Sequence, residues 1–419
     1  MDVQSASPNR KALLFIIVTV ILNTLGFTLI VPVAPFLVAR YVSNPNSIGV
    51  AVGWLGSIYA ICQIIAAPGL GVLSDRFGRR PLLLLCLFGS ALGYLLLGIG
   101  GALWVLFLGR AIDGITGGNT SIIIAYITDV VPSSQRSKYF GILGAIGAGC
   151  VVLGPAAGGF LAQFGYAMPF FVAGAIAFAN VIYGIFFMPE SLKSDRQISP
   201  ITFAQLNPLS TLGEIYRLPH LRWLIVALFL YTLSTIIVPS NLGLFTKDNL
   251  NWEADRVGLL FSVFGISSIF VQGLVLQGLL KRFKAHQVMI AGLWVTIVSL
   301  LIIALVGIRD SSMILYIGII VFALGEGLTS PTMLELITHC TDEQSHGKVQ
   351  GGSQSVQSLA NVVGPVFAGL LYDHWSHSSP YVFGAAVILL TIGAVSLVLP
   401  TFRSGPERHR KSEGGETNI

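Results

Sequence analysis

Apolar stretches of about twenty residues recur along the whole of this chain, and that recurrence leaves few folds open. A hydrocarbon core about 30 Å thick needs roughly twenty helical residues to cross it. Read between polar breaks, the sequence offers twelve such stretches, centred near Val20, Tyr59, Leu92, Ile115, Gly149, Ala177, Leu233, Ile266, Thr296, Phe322, Leu359 and Ile388. In lipid every backbone polar group must be bonded within its own segment, so each stretch is expected to be a helix. Composition agrees: 54% of residues are hydrophobic and only 10% are charged, whereas a soluble domain carries about a quarter charged residues. The expected fold class is an all-α integral membrane protein with twelve transmembrane helices.

The first apolar run follows the polar residues 1–9, lacks a small-residue cleavage site and reads as a span, not as a removable signal. Cys62, Cys86, Cys150 and Cys340 fall inside or at the ends of apolar segments, where they read as small packing residues and not as a disulfide framework or metal site. Placement of Lys and Arg sets the orientation. With both termini cytoplasmic, nineteen of these residues fall in inside loops and tails, and only Arg40, Lys247, Arg256 and Arg309 lie outside. The net charge of +5 is thereby assigned to topology and not to nucleic-acid binding. A cell-membrane location is expected, with the lipid bilayer as the surroundings and a monomer as the working unit.

The longest polar connection carries Glu190, Lys193, Asp195, Arg196, Glu214 and Arg217 and divides the chain into six spans and six spans. The expected organisation is residues 1–188 as one six-helix bundle, 189–218 as a cytoplasmic linker, 219–402 as a second bundle and 403–419 as a cytoplasmic tail. The two bundles read as copies of one unit. Gly141, Gly154-Pro155 and Gly158-Gly159 in the fifth span reappear 210 residues later as Gly351, Gly364-Pro365 and Ala368-Gly369. Ile30-Val31-Pro32 answers Ile237-Val238-Pro239, and Asp113-Gly114-Ile115-Thr116 answers Glu326-Gly327-Leu328-Thr329. Six plus six spans is the plan of secondary transporters whose halves move about a midplane site.

Between the second and third spans lies a compact ionic stretch, Gly71-Val72-Leu73-Ser74-Asp75-Arg76-Phe77-Gly78-Arg79-Arg80-Pro81. Its Gly71-x-x-x-Asp75-Arg76-x-Gly78-Arg79-Arg80 pattern resembles the signature loop of the major facilitator superfamily. Arg110-x-x-x-Gly114, Ala125-Tyr126-Ile127-Thr128-Asp129 and Gly154-Pro155-x-x-Gly158-Gly159 resemble motifs of its drug:proton antiporter branch. Pro189-Glu190-Ser191-Leu192 and Asn207-Pro208-Leu209 are similar to the tetracycline-efflux group in particular. The resemblance implies two pseudo-symmetric bundles and export by alternating access. It also implies a latch in which Asp75 and Arg79 meet Asp129 and hold the cytoplasmic side in the outward-facing state, and a fifth span that seals the exchange interface. The second-half loop, Lys281-Arg282-Phe283-Lys284, lacks the acid and the glycine, so any latch there is expected to be weaker. Cys150 and Ala368 also depart from the glycine pattern. Tetracycline pumps carry an acid in the first span where this chain has Asn23, which argues against tetracycline itself as the substrate.

Ionisable side chains inside the membrane are expensive and mark function. Here they are Arg110 and Asp113 in the fourth span and Glu326 and Glu335 in the tenth. A carboxyl group removed from water favours its neutral form, whereas a guanidinium one turn away favours the carboxylate. Glu326 is therefore the favoured proton carrier, with Asp113 either a second carrier or the counter-charge of Arg110. A proton and a cationic or zwitterionic compound would compete for the same charge, which is the physical basis of antiport. Asn23, Phe27, Asn119, Tyr126, Tyr231, Asn241 and Phe322 are the candidate cavity residues. No Ser/His/Asp or Cys/His set and no phosphate-binding loop is recognisable, so an enzyme is not expected, and neither is a cofactor or metal. A metabolite or sugar exporter, an uncoupled facilitator and a membrane sensor on the same scaffold remain as alternative readings.

Overall fold

The computed structural model describes residues 10–192, 219–339 and 346–398, and all regular structure among them is helical. Most of the expected linker and the tail, including Lys193, Asn207 and Arg217, lie outside the described residues, as does Cys340. The helices long and apolar enough to cross a membrane on their own number 11 among the described residues. The fourth segment accounts for the difference, because it crosses as two helices, Leu103–Gly117 and Thr120–Val130. The break falls at Gly118, where a Cβ would lie 2.9 Å from the Cα of Ala67 on the second span. Close approach of two backbones fixes that glycine and interrupts the helix beside it.

Interruptions also answer one another across the repeat. The first span, Arg10–Ile30, stops before Val31-Pro32-Val33 and resumes as Ala34–Val38. The seventh, Pro219–Thr235, stops at Ile236 and resumes as Ile237–Leu250. Proline removes a backbone donor and crowds the preceding turn, so Pro32 and Pro239 mark both breaks. The remaining spans are Ile48–Phe77, Arg79–Ile99, Ser133–Ala162 and Met168–Phe187 in the first half. In the second half they are Ala254–Leu280, which passes through a π-helical turn at Val271–Val275, then Ala285–Leu305, Ser312–His339, His346–His374 and Ser379–Ser396.

The halves meet through the same contact made twice. Gly53 at the start of the second span backs onto the carbonyl of Pro365 in the eleventh, and Gly258 in the eighth backs onto the carbonyl of Pro155 in the fifth. A Cβ at either glycine would collide with that oxygen, so only glycine permits the approach. The fifth span also presses Gly154 on Thr28 of the first span, and the eleventh presses Gly364 on Ile236 of the seventh. The copies diverge one turn further on. Gly158 lies against the backbone of Leu29, whereas Ala368 is held by a hydrogen bond from Asn241 Nδ2 to its carbonyl, 2.9 Å.

All these joints lie at one end of the molecule, opposite the Gly71–Arg80 loop. Toward that loop, here termed the signature end, a Cβ added at Gly69, Gly141, Gly144, Gly147, Gly149, Gly273, Gly278 or Gly351 would meet nothing within 4 Å. The fifth span is exposed or half-exposed all round from Gly141 to Gly149, which a helix merely facing lipid on one side would not be. The second, fifth, eighth and eleventh spans thus touch at the far end and part toward the signature end. Gly258→Leu is expected to force the far end open. The check is labelling of Ser262→Cys, whose native hydroxyl bonds Val152 O at 3.1 Å, by a membrane-impermeant maleimide. Labelling should quicken by roughly tenfold, and an unchanged rate would contradict the joint.

Candidate functional site

Two cavities of about 340 and about 320 Å³ adjoin between the halves and share Val31, Ile236, Pro239 and Asn361 on their walls. The first is bordered by Tyr59, Gln63 and Arg110. The second is walled by Phe261, Phe264 and Phe322, with threonines of the first and seventh spans and Glu326 of the tenth. Phe264 and Phe322 lie with ring centroids 5.6 Å apart and tilted by 33°, giving the second chamber an aromatic wall. Among the described lining residues, Arg110 and Glu326 alone are charged.

Those two charges are treated differently. Arg110 is 1% exposed and bonds Asp113 at 3.0 Å, with Asp113 itself 2% exposed. Its Nε donates to Leu55 O at 3.3 Å, and the guanidinium carbon sits 4.2 Å from the Tyr59 ring centroid. The polar side chains of Ser90 and Tyr94 lie beside Asp113. Gly114 permits the packing, because a Cβ there would lie 2.5 Å from Tyr59 O. The pair is therefore internally neutralised. Glu326, its repeat mate's counterpart, is half-buried on the wall of the second cavity and has no ion pair or hydrogen bond among the described residues. Tyr231 lies within its electrostatic reach, with a buried hydroxyl that has no hydrogen-bond partner among the described residues.

At the signature end Arg79 is 4% exposed and gathers the ionic cluster. Its Nη2 pairs with Asp75 at 2.8 Å, its Nε with Asp129 at 2.6 Å, and its Nη1 donates to Ser74 Oγ at 3.0 Å. Ser74 in turn bonds Gly71 O at 2.7 Å. Gly78 has φ +101°, a conformation open essentially only to glycine. Glu190 was legible in the sequence as a charge of the polar connection and as part of a tetracycline-efflux-like tetrapeptide, not as a member of the cluster that it closes. Its carboxylate accepts from the backbone N–H of Arg79 at 3.0 Å and of Arg80 at 3.2 Å, capping the third span. Arg80 reaches Ile185 O, and Arg76 stays exposed over the Phe77 ring. Every one of these partners belongs to the first half. These bonds tie the second, third, fourth and sixth spans to one another within the first half.

The bridging contacts sit at the far end. Asp373, near the end of the eleventh span, accepts from the N–H groups of Gly49 at 3.0 Å and Val50 at 2.8 Å, so one half caps the second span of the other. Tyr166 donates to Glu253 Oε2 at 2.5 Å, and Gln163 donates to Asp255 at 3.2 Å. Burial, with the Glu253 carboxylate bonded beside it, pushes the Tyr166 phenol up to about 12, so it remains a donor throughout the physiological range.

The structure scatters the candidate cavity residues. Phe322 lines the second cavity. Asn23 Nδ2 donates to Asn119 Oδ1 at 2.6 Å, closing the first span onto the break in the fourth. Tyr126 is buried and its hydroxyl donates to Pro189 O at 3.0 Å, toward the signature end. Asn241 is committed to Ala368, Glu335 is exposed, and the Phe27 side chain lies outside the described residues. Gln63, Phe264 and Asn361 were not foreseen. Asn361 had one available signal, its position three residues before the repeated Gly364-Pro365.

With this geometry in view, comparison with known proteins is informative. The sequence profile described as "Major Facilitator Superfamily" matches residues 16–351 and 228–418. The chain is 31% identical over 391 residues to the tetracycline resistance protein, class C, of Escherichia coli, spanning 92% of this chain and 97% of that one. It is 26% identical over 369 residues to the quinolone resistance protein NorA of Staphylococcus aureus, spanning 87% and 90%. In structure it is similar to a bacterial homologue of the human lysosomal transporter Spinster, solved inward-facing and occupied, with TM-score 0.74, 15% identity and coverage of 95% and 98%.

Removing the cross-half cap should loosen the far end. A lost helix cap of this kind costs about 0.5–2 kcal/mol, so Asp373→Ala is expected to raise the population open at the far end by roughly 2- to 30-fold. Spin-label distances across the second and eleventh spans report it, and an unaltered distance distribution would contradict the role.

Proposed function

The chain belongs to the major facilitator superfamily, and from that premise we propose that it exports small amphiphilic, drug-like compounds in exchange for protons by alternating access. The reading is carried by the unequal treatment of two repeat-related acids. Asp113 is matched by Arg110 at 3.0 Å, while Glu326 faces an aromatic cavity with no counter-charge among the described residues. An acid in that position exchanges its proton for a cation without leaving an unmatched charge in a dry chamber. Relatives named for tetracycline and quinolone resistance support drug-like substrates, and Asn23, bonded to Asn119, leaves the first span without the acid of the tetracycline pumps.

The protein is a multi-pass membrane protein. We assign the signature end to the cytoplasm on the strength of nineteen Lys and Arg in its loops and tails. Residues 1–188 and 219–402 are then the two moving bundles, working as a monomer in the cell membrane. That orientation makes the open cavity inward-facing. In this state a cationic compound enters from the cytoplasm and displaces the proton of Glu326. Parting of the Gly53–Pro365 and Gly258–Pro155 joints, with closure at the signature end, then exposes the site to the outside. There the compound leaves and Glu326 takes up an external proton. The Asp75–Arg79–Asp129 cluster, with Gly71, Arg76, Gly78 and Arg80, keeps the cytoplasmic ends of the first half rigid, so that they meet the second half as one body in the outward-facing state. The Arg79–Asp129 pair is buried and therefore costly to break, which suits a rigid unit, whereas Asp75 is exposed and its pair with Arg79 contributes at most about 1 kcal/mol.

Purified protein in liposomes with an internal pH-sensitive dye tests this reading. A panel of lipophilic cations, tetracycline and fluoroquinolones should trigger proton movement, and Glu326→Gln should reduce it by more than about tenfold, because no other uncompensated carboxylate lines the cavity among the described residues. Equal proton movement in both proteins would move the carrier elsewhere, and none with any compound would overturn antiport.

A further inference from the structure

The polar groups lining the two cavities are nearly all spoken for. The hydroxyls of Thr24, Thr28, Thr232, Thr235 and Ser240 donate back to Val20, Thr24, Leu228, Tyr231 and Ile236 carbonyls at 3.0, 2.8, 2.8, 3.1 and 2.7 Å. They offer a ligand lone pairs and no free proton. Gln63 spends its amide on Tyr59 Oη and Gly117 O, both at 3.2 Å. Arg110 is divided between Asp113 and Leu55 O. Asn361 differs from all of these. It is half-buried, it lies on the wall common to both chambers, and its amide makes no hydrogen bond among the described residues.

We infer that Asn361 is the specificity-determining residue of the transport site, donating a hydrogen bond to a carbonyl acceptor on the substrate while Glu326 takes the substrate's protonated amine. The inference rests on the exporter reading and deepens it by naming the substrate class: a flat aromatic body with an ammonium group and a carbonyl separated from it. The chamber's chemistry fits that description point by point. The carboxylate and the hydroxyl lone pairs accept from an N–H cation, and the half-exposed Phe264 ring, backed by the buried Phe322, packs against the flat body and favours positive charge over its face. Asn361 is left as the one uncommitted neutral side-chain donor on the wall shared by both chambers, among the described residues; the Arg110 guanidinium lies in the first chamber only and is held by Asp113 and Leu55 O. A site with a buried group that must be hydrogen-bonded discriminates against analogues lacking the matching atom, because that group is then left unpaired.

Equilibrium binding to the purified full chain, read by quenching of intrinsic fluorescence, tests this with two probes. Norfloxacin carries a protonated amine and a ring carbonyl, whereas tetraphenylphosphonium is a cation with no hydrogen-bonding group. Asn361→Leu should weaken norfloxacin by about tenfold, the value of one hydrogen bond of ordinary strength, and leave tetraphenylphosphonium within about twofold. Asn361→Gln, which keeps the amide, should recover part of the norfloxacin affinity. Equal weakening of both probes, with melting temperature lowered, would make Asn361 a structural residue and overturn the inference, as would unchanged affinity for both. Wild-type protein that binds neither probe would overturn the exporter reading as well. Because the readout is binding, a protein that discriminates the probes yet moves no protons would refute antiport alone and leave Asn361 in its role.

Discussion

A charge placed inside a membrane must be answered by an opposite charge, by water or by a proton, and this constraint organises the molecule. Arg110 is answered three times over, by Asp113, by Leu55 O and by the Tyr59 ring. That is why the fourth span needs Gly114, whose missing side chain lets Tyr59 and the second span come close enough. Glu326 sits at the repeat-related position and is answered by none of these among the described residues. Of the two repeat-related acids, Asp113 is held in a pair with Arg110 and Glu326 has no counter-charge among the described residues. An unmatched acid on the wall of an aromatic chamber has two ways to be satisfied, a proton or a cation, and alternation between them is coupled transport.

Movement needs joints that close tightly and part easily. The Gly53–Pro365 and Gly258–Pro155 contacts close through backbone against backbone, without interlocking side chains, so they separate without dragging large groups out of a packed core. Asp373 on Gly49 and Val50, and Tyr166 on Glu253, add directional bonds across the same seam. Each is worth little on its own, which suits an interface that must open on every cycle. The Arg79 cluster works by the opposite logic. It binds four spans of one half to one another, so those spans hold together as one body.

Much of this was legible in the sequence, for physical reasons that differ from element to element. Apolar run length dictated the spans, and the 210-residue offset of Gly154-Pro155 and Gly364-Pro365 announced that the halves would share a joint. The Ile-Val-Pro pair was legible as a repeat, and the helix breaks that fall at both copies were not. The Gly71–Arg80 stretch was dense enough in charge to demand partners, and Asp129 was identified among them by resemblance. The division of the fourth span at Gly118 was not visible, because a glycine in an apolar run reads as tolerated until a neighbouring backbone is seen against it. Glu190 and Asp373 were missed as caps, since both bond backbone N–H groups far away in sequence and no side-chain pattern records that. Tyr126, an aromatic in an expected cavity-lining span, and Asn241, near such aromatics, were expected near substrate, yet each is bonded to a distant carbonyl. Polarity within a span shows that a bond must be made and does not say with what.

Proton release from the protein on substrate binding is the most direct test of the shared charge at Glu326. Detergent-purified protein in weakly buffered solution, near the pH at which Glu326 is half-protonated, would be mixed with norfloxacin while the bulk pH is followed with a dye. If proton and substrate compete for Glu326, binding releases protons in wild-type protein, and Glu326→Gln binds with no release. Release that persists undiminished in Glu326→Gln, or binding to wild-type protein with no release at any pH, would contradict the shared charge.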